Sequence, residues 1–121
     1  MEQIVNQNCI NSLKKPGAPI IIVAAVKEAE AIAYACKDFG IKIEAFCDSE
    51  KRKSLEDFCG LKVIHTPTLP EKFSKARFLI ATQQISDVVE QLSGLGFNEF
   101  YSAKELIDNF SINNHSYAIS K

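Results

Sequence analysis

The chain has 121 residues and a mass of 13.4 kDa, about the size of one domain, and at 46% hydrophobic it can bury a core without metal or disulfide staples. Its 14 Lys and Arg against 15 Asp and Glu give a net charge of −1 and a pI ≈ 6.1. That balance removes the electrostatic reason to expect nucleic acid or an anionic membrane as a partner. The apolar run at residues 19–26 falls far short of the ~20 residues a membrane span needs. Met1-Glu2-Gln3 is polar and acidic, with no basic or apolar leader pattern, so the expected location is the cytoplasm. Cys9, Cys36, Cys47 and Cys59 show no C-x-x-C spacing, and buried free thiols in a reducing compartment fit them better than disulfides or a metal.

In residues 1–13 the apolar side chains Ile4, Val5, Cys9, Ile10 and Leu13 fall at helical spacing, which predicts a leading amphipathic helix. Lys14-Lys15-Pro16-Gly17 ends it. Ile20-Ile21-Ile22-Val23 is a β-branched run without alternation, as in a central parallel strand covered on both faces; Pro19 suits only its first position. Lys27–Phe39 returns to helical spacing through Ala29, Ile32, Ala33, Cys36 and Phe39, closed by Gly40. Residues 41–47 then alternate like a strand. Strand, helix, Gly turn and strand within about 30 residues make a βαβ unit. A short helix or turn follows at 49–58, a strand at 61–64, and a loop at 65–76 with a helical turn near Glu71-Lys72-Phe73. A buried strand is predicted at 77–81, a helix at 85–92, and a short strand at 98–101. Ser102, with Glu105 three residues on, has the capping-box pattern of one more helix. Past Asn109 the chain turns polar.

Strands alternating with helices predict an α/β, Rossmann-like three-layer sandwich. The expected sheet is parallel, with about five strands in the order 3-2-1-4-5, helices on both faces and the leading helix added. Residues 1–18 then form the helix and linker, 19–109 the domain, and 110–121 a tail or a linker to a further domain. In such a sheet, ligands bind outside the carboxyl ends of the strands where the order reverses. Here that is the crevice between the strands ending near Ala25 and Ala81.

The strand Ile20–Val23 and its helix, Ala45-Phe46-Cys47-Asp48, Gly60-Leu61-Lys62-Val63-Ile64 and Leu95-Gly96-Phe97-Asn98-Glu99-Phe100-Tyr101 carry a family likeness. Over residues 19–109 the chain resembles the Rossmann-type domain preceding the catalytic part of bacterial sugar-modifying enzymes, both sugar acyltransferases and FkbM-type methyltransferases. The resemblance implies a nucleotide or nucleotide-sugar ligand, with NAD(P) as another occupant, and a catalytic domain elsewhere on the chain or on a partner. The family's Gly-x-Gly-x-x-Gly becomes Ala24, Val26 and Ala29 here. Val26 replaces the glycine that admits a pyrophosphate against the backbone, and Glu28 and Glu30 in the first helical turn repel one. A dinucleotide in the usual pose is therefore disfavoured.

The candidate binding residues are Ala24, Ala25, Val26 and Lys27 in the first loop, Asp48, and Thr82 and Gln83, with Gln84 beside them. Asp48 lies 24 residues after Ala24, near the spacing of about 20 at which an acid binds ribose hydroxyls; capping of the following turn is the competing reading. Thr82-Gln83-Gln84 open a helix and suit an anion or sugar hydroxyls, or plain capping. His65 lies near the same rim without a visible carboxylate partner, as a surface or turn residue does. Lys51-Arg52-Lys53 reads as a solvated basic face. No catalytic or metal-binding constellation emerges, and no Gly-x-Ser-x-Gly elbow is present. The leading function is a non-catalytic binding module for a nucleotide or nucleotide sugar. The alternative is a degenerate Rossmann domain that mediates protein interaction or dimerisation through its leading helix. A stand-alone oxidoreductase is set aside because the cofactor loop is eroded.

Overall fold

The computed structural model describes residues 2–4, 12–80 and 85–103. Six strands form one sheet: β1 (Glu2–Ile4), β2 (Ile20–Val23), β3 (Ala45–Asp48), β4 (Val63–His65), β5 (Arg77–Ile80) and β6 (Glu99–Ser102). Their order across the sheet is β1-β6-β5-β2-β3-β4, and every pairing is parallel. Counted from β2, the order is 3-2-1-4-5. This is the doubly wound, Rossmann-like α/β arrangement, with β2 innermost between β3 and β5.

The period of two along each strand divides the core. Ile20, Ile22, Phe46, Val63 and Leu79 turn to one face, where they meet Ala29, Ile32, Ala35 and Cys36 of helix α1 (Lys27–Phe39). Ile21, Val23, Ala45, Cys47, Ile64, Phe78 and Ile80 turn to the other. There they meet Leu69 of α2 (Leu69–Lys72) and Leu92, Val88 and Val89 of α3 (Ile85–Gly94). All four β2 residues are buried, which is why that segment shows no polar alternation. Phe78 anchors the second face, with Phe97 edge-on at 5.0 Å and Phe100 tilted at 6.0 Å.

The α1 terminus shows how local chemistry sets an element's length. Gly40 takes φ 78°, so its N–H and that of Ile41 turn back to the Lys37 and Cys36 carbonyls (3.2 and 2.7 Å). This is the Schellman closure that glycine permits. It also corrects the strand expected at 41–47. Ile41 is spent on the helix end and buried against the α1 side of the core. Ladder contact with β2 begins only at Glu44, whose N–H reaches the Ile20 carbonyl at 2.9 Å. Likewise β4 starts at Val63, not Leu61, because Leu61 pairs with Phe58 in a tight hairpin. Its two turn residues, Cys59 and Gly60, both have positive φ (52° and 78°), the mirror-image turn suited to hairpins.

The helix expected over residues 1–13 is corrected at its start. Glu2–Ile4 is a strand beside β6, in register Glu2↔Phe100 to Ile4↔Ser102. Residues 12–14 are helical, with buried Leu13 packed on the α1 side of the core. Ile4 and Leu13 fit one helical face by spacing, but the open edge of β6 offers Glu2–Ile4 a ladder that no local pattern announces. The helix expected after Ser102 and the tail beyond it lie outside the described residues.

Candidate binding crevice at the switch point

The helix after β2, α1, packs on one face of the sheet and the helix after β5, α3, on the other, and at such a switch point an open α/β sheet has its ligand crevice. Its first wall is the β2–α1 turn. Ala24 takes φ 76°, a left-handed conformation that normally asks for glycine. Its N–H extends the ladder to the Cys47 carbonyl at 2.6 Å. The backbone thus has the geometry of a glycine turn, built here from alanine. Val26 is the N-cap of α1, in extended conformation and without a side-chain cap bond. Its carbonyl takes the Ala29 and Glu30 N–H groups at 2.9 and 3.1 Å. The Val26 side chain is half-buried against the α1 side of the core, which corrects the expectation that it occupies the place of a phosphate. Lys27 and Glu28 are exposed on the first turn.

Asp48 joins the first loop to the loop after β3. One carboxylate oxygen accepts the buried Ala25 N–H at 2.9 Å, and the other accepts the Glu50 N–H at 2.8 Å. The second bond is a local Asx turn, so Asp48 shapes the turn ahead of the 3₁₀ segment Lys51–Leu55 without capping that segment itself. Lys53 completes the junction: its Nζ donates to the Ala25 carbonyl at 3.0 Å and stands 3.9 Å from the Asp48 carboxylate. Lys53 thus departs from the solvated face expected for residues 51–53. Arg52 does lie there, paired with Glu50, whereas the tightening to a 3₁₀ turn swings Lys53 inward to the rim.

The structure therefore brings Ala24, Ala25, Val26, Lys27 and Asp48 to one end of the sheet. Thr82, Gln83 and Gln84, with Ala81, lie outside the described residues. His65 ends β4 on the same side, and its Nε2 lies 3.2 Å from the Ser49 carbonyl. A carbonyl only accepts, so that nitrogen carries the proton and the ring braces the neighbouring loop.

Beneath the rim, burial pushes the Cys47 thiol up to about 12, against a hydrogen bond from Thr66 that pulls the other way. Burial raises Cys36 to about 12 as well. Both are inert core thiols, as expected. Cys59 departs from that expectation: it is exposed, on its hairpin turn, with Glu30 Oε2 3.9 Å away. Among the described residues no three His, Cys, Asp or Glu side chains gather as metal ligands, no buried side-chain polar atom lacks a partner, and no helix is long and apolar enough to cross a membrane.

Fold and crevice together define the class of protein: a Rossmann-like α/β domain with a glycine-type turn built from alanine. No family model matches the chain, and no curated protein matches it.

Proposed function

We propose that the chain is a non-catalytic Rossmann-like binding domain whose ligand is a nucleotide or nucleotide sugar, seated at the crevice between β2 and β5. The observation that carries this reading is Ala24 at φ 76°. A left-handed alanine is strained by about 1–2 kcal/mol, and strain of this kind collects where a loop must keep a working shape. That shape sets the start of α1, the end of a helix that favours an anion, at the crevice. Lys27 and Lys53 flank that opening and supply positive charge for a phosphate, against Glu28 and Glu30. In this reading the chemistry belongs to a catalytic domain on the same chain or on a partner, as in the sugar-modifying enzymes the sequence resembles.

Thermal melts with UDP-sugars, NAD, NADP and CoA test this. A ligand at 100 times its dissociation constant adds about 2.7 kcal/mol, a rise of several degrees for a domain of this size. Flat melts across that panel defeat the proposal. A second reading, a degenerate domain used for protein interaction, draws on a separate observation. Both Asp48 carboxylate oxygens already hold backbone N–H groups, so a ribose diol would have to share them.

A further inference from the structure

On the far side of β3 from the crevice, β4 is an edge strand, and a groove of ≈ 740 Å³ runs along it. We propose that this groove takes an extended acidic peptide segment of a partner protein, which adds to β4 as a further strand.

The backbone supplies the template. Phe46 donates to the Lys62 carbonyl at 2.9 Å, and Val63 lies opposite Phe46. In a parallel ladder, alternate residues bond to the same neighbour, so Lys62 and Ile64 face β3 while the Val63 N–H and C=O face the groove. An incoming strand satisfies both, which is the mode of β-augmentation. Half-buried Leu61 and Phe73 line the groove and give apolar side chains a seat.

Charge selects the occupant. Lys51, Lys62 and Lys72 line the groove, with Glu44 as the acidic residue among its lining. All three lysines are exposed, and none of them is in an ion pair among the described residues. This excess of positive charge stands on a chain whose net charge is −1. A second copy of the chain would bring the same lysines against these, and like charges facing each other across strands are destabilising. Lysines on an edge also guard it against self-pairing. The one surface thus rejects its own kind and favours an acidic strand.

The test uses the ¹⁵N-labelled full chain and a capped heptapeptide of alternating Glu and Val. A Lys–Val counterpart and a Glu–Val peptide with N-methylated alternate amides serve as probes of charge and backbone bonding. The proposal expects amide shifts centred on residues 61–65 and slowed hydrogen exchange at Val63, with neither produced by the other two peptides. Lys62→Glu with Lys72→Glu should weaken binding about tenfold, the combined effect of two rim ion pairs. Lys62→Gln with Lys72→Gln, which only removes charge, should give a smaller loss in a chain whose circular dichroism is unchanged. An unchanged spectrum at about 2 mM peptide, where even weak strand addition registers, overturns the proposal. So does equal binding of the Lys–Val peptide, shifts at β1 in place of β4, or self-association through β4. Crevice ligands play no part, so failure here leaves the nucleotide reading untouched.

Discussion

Replacing Ala24 with glycine tests whether the β2–α1 turn is held in a strained shape. The left-handed conformation at φ 76° costs an alanine about 1–2 kcal/mol, and glycine removes that cost. Against this, glycine gives the unfolded chain about 0.4–1 kcal/mol of extra freedom. Loss of the half-buried methyl, which packs on the core face opposite α1, costs about 0.5 kcal/mol more. The sum for Ala24→Gly lies near zero or slightly on the stabilising side. Ala25 is the internal control: it is buried, 8% exposed, and its φ is not positive. Ala25→Gly loses the same freedom and a fuller methyl with no strain to relieve, a destabilisation of about 1–2 kcal/mol. For a domain of this length 1 kcal/mol moves Tm by about 4 °C, so the two variants should melt roughly 4–8 °C apart, Ala24→Gly higher. Ala24→Val should melt lowest of the three, since β-branching makes the left-handed region costlier still. Calorimetry or a circular-dichroism melt reads all of this. If Ala24→Gly falls as far as Ala25→Gly, the turn is not left-handed, and the argument for a preserved phosphate-type loop falls with it.

Asp48→Ala leaves the buried Ala25 N–H without its acceptor and should cost about 1–3 kcal/mol in urea unfolding; Asp48→Asn, which keeps one acceptor oxygen, should lose less. Stability should also fall in alkali. The folded Cys36 and Cys47 thiols keep their protons to about pH 12, whereas unfolded thiols release them near the ordinary value of 9.0. Between those limits the unfolded state binds fewer protons, so each thiol contributes a loss of about 1.4 kcal/mol per pH unit. Urea titrations from pH 9 to 10.5 should show a shallower fall in Cys36→Ala. In a Cys9→Ser background, Ellman's reagent should find Cys59 promptly and the two buried thiols only on unfolding, since exposure governs access. Gly40→Ala should cost about 1 kcal/mol through its positive φ alone, because the added methyl would meet its nearest neighbour, Lys14 Cε, at an ordinary 3.7 Å.

The parts of the fold visible in the sequence were those whose pattern is local. Ile20–Val23 declared itself a central strand because both its faces are buried, and α1 was bounded by Gly40 through the chemistry of its closure. β1 stayed hidden because three residues of strand carry too little periodicity to outweigh a helical reading, and their partner, β6, lies nearly a hundred residues downstream. The strand after Gly40 is shorter than its pattern, because alternation in Ile41-Lys42-Ile43 reflects burial of Ile41 rather than a ladder. In the crevice, spacing found Asp48 and the first loop. It could not show that Asp48 turns to the Ala25 amide, nor that Lys53 leaves its basic neighbours to bond the Ala25 carbonyl, since both depend on a 3₁₀ turn that no residue in 49–55 demands.

The Asp48–Ala25–Lys53 junction bears on both functional readings, and its bonds are unequal in what they would yield to a ligand. The Ala25 N–H is buried, so withdrawing the Asp48 carboxylate from it carries the full penalty of an unpaired donor, about 1–3 kcal/mol. A ligand that needs Asp48 to turn away begins with that deficit. Lys53 is different. Its side chain is 32% exposed, it has three donor hydrogens, and the Ala25 carbonyl is its hydrogen-bond acceptor here. The ammonium bond to the Ala25 carbonyl is already charge-assisted, and a phosphate oxygen can take one of the other two donor hydrogens without displacing it. The junction therefore resists recognition of a ribose by Asp48 more than contact of a phosphate with Lys53. The ligand it tolerates best presents its phosphate toward Lys53 and the start of α1, with its sugar lying away from Asp48. That arrangement differs from the usual dinucleotide pose.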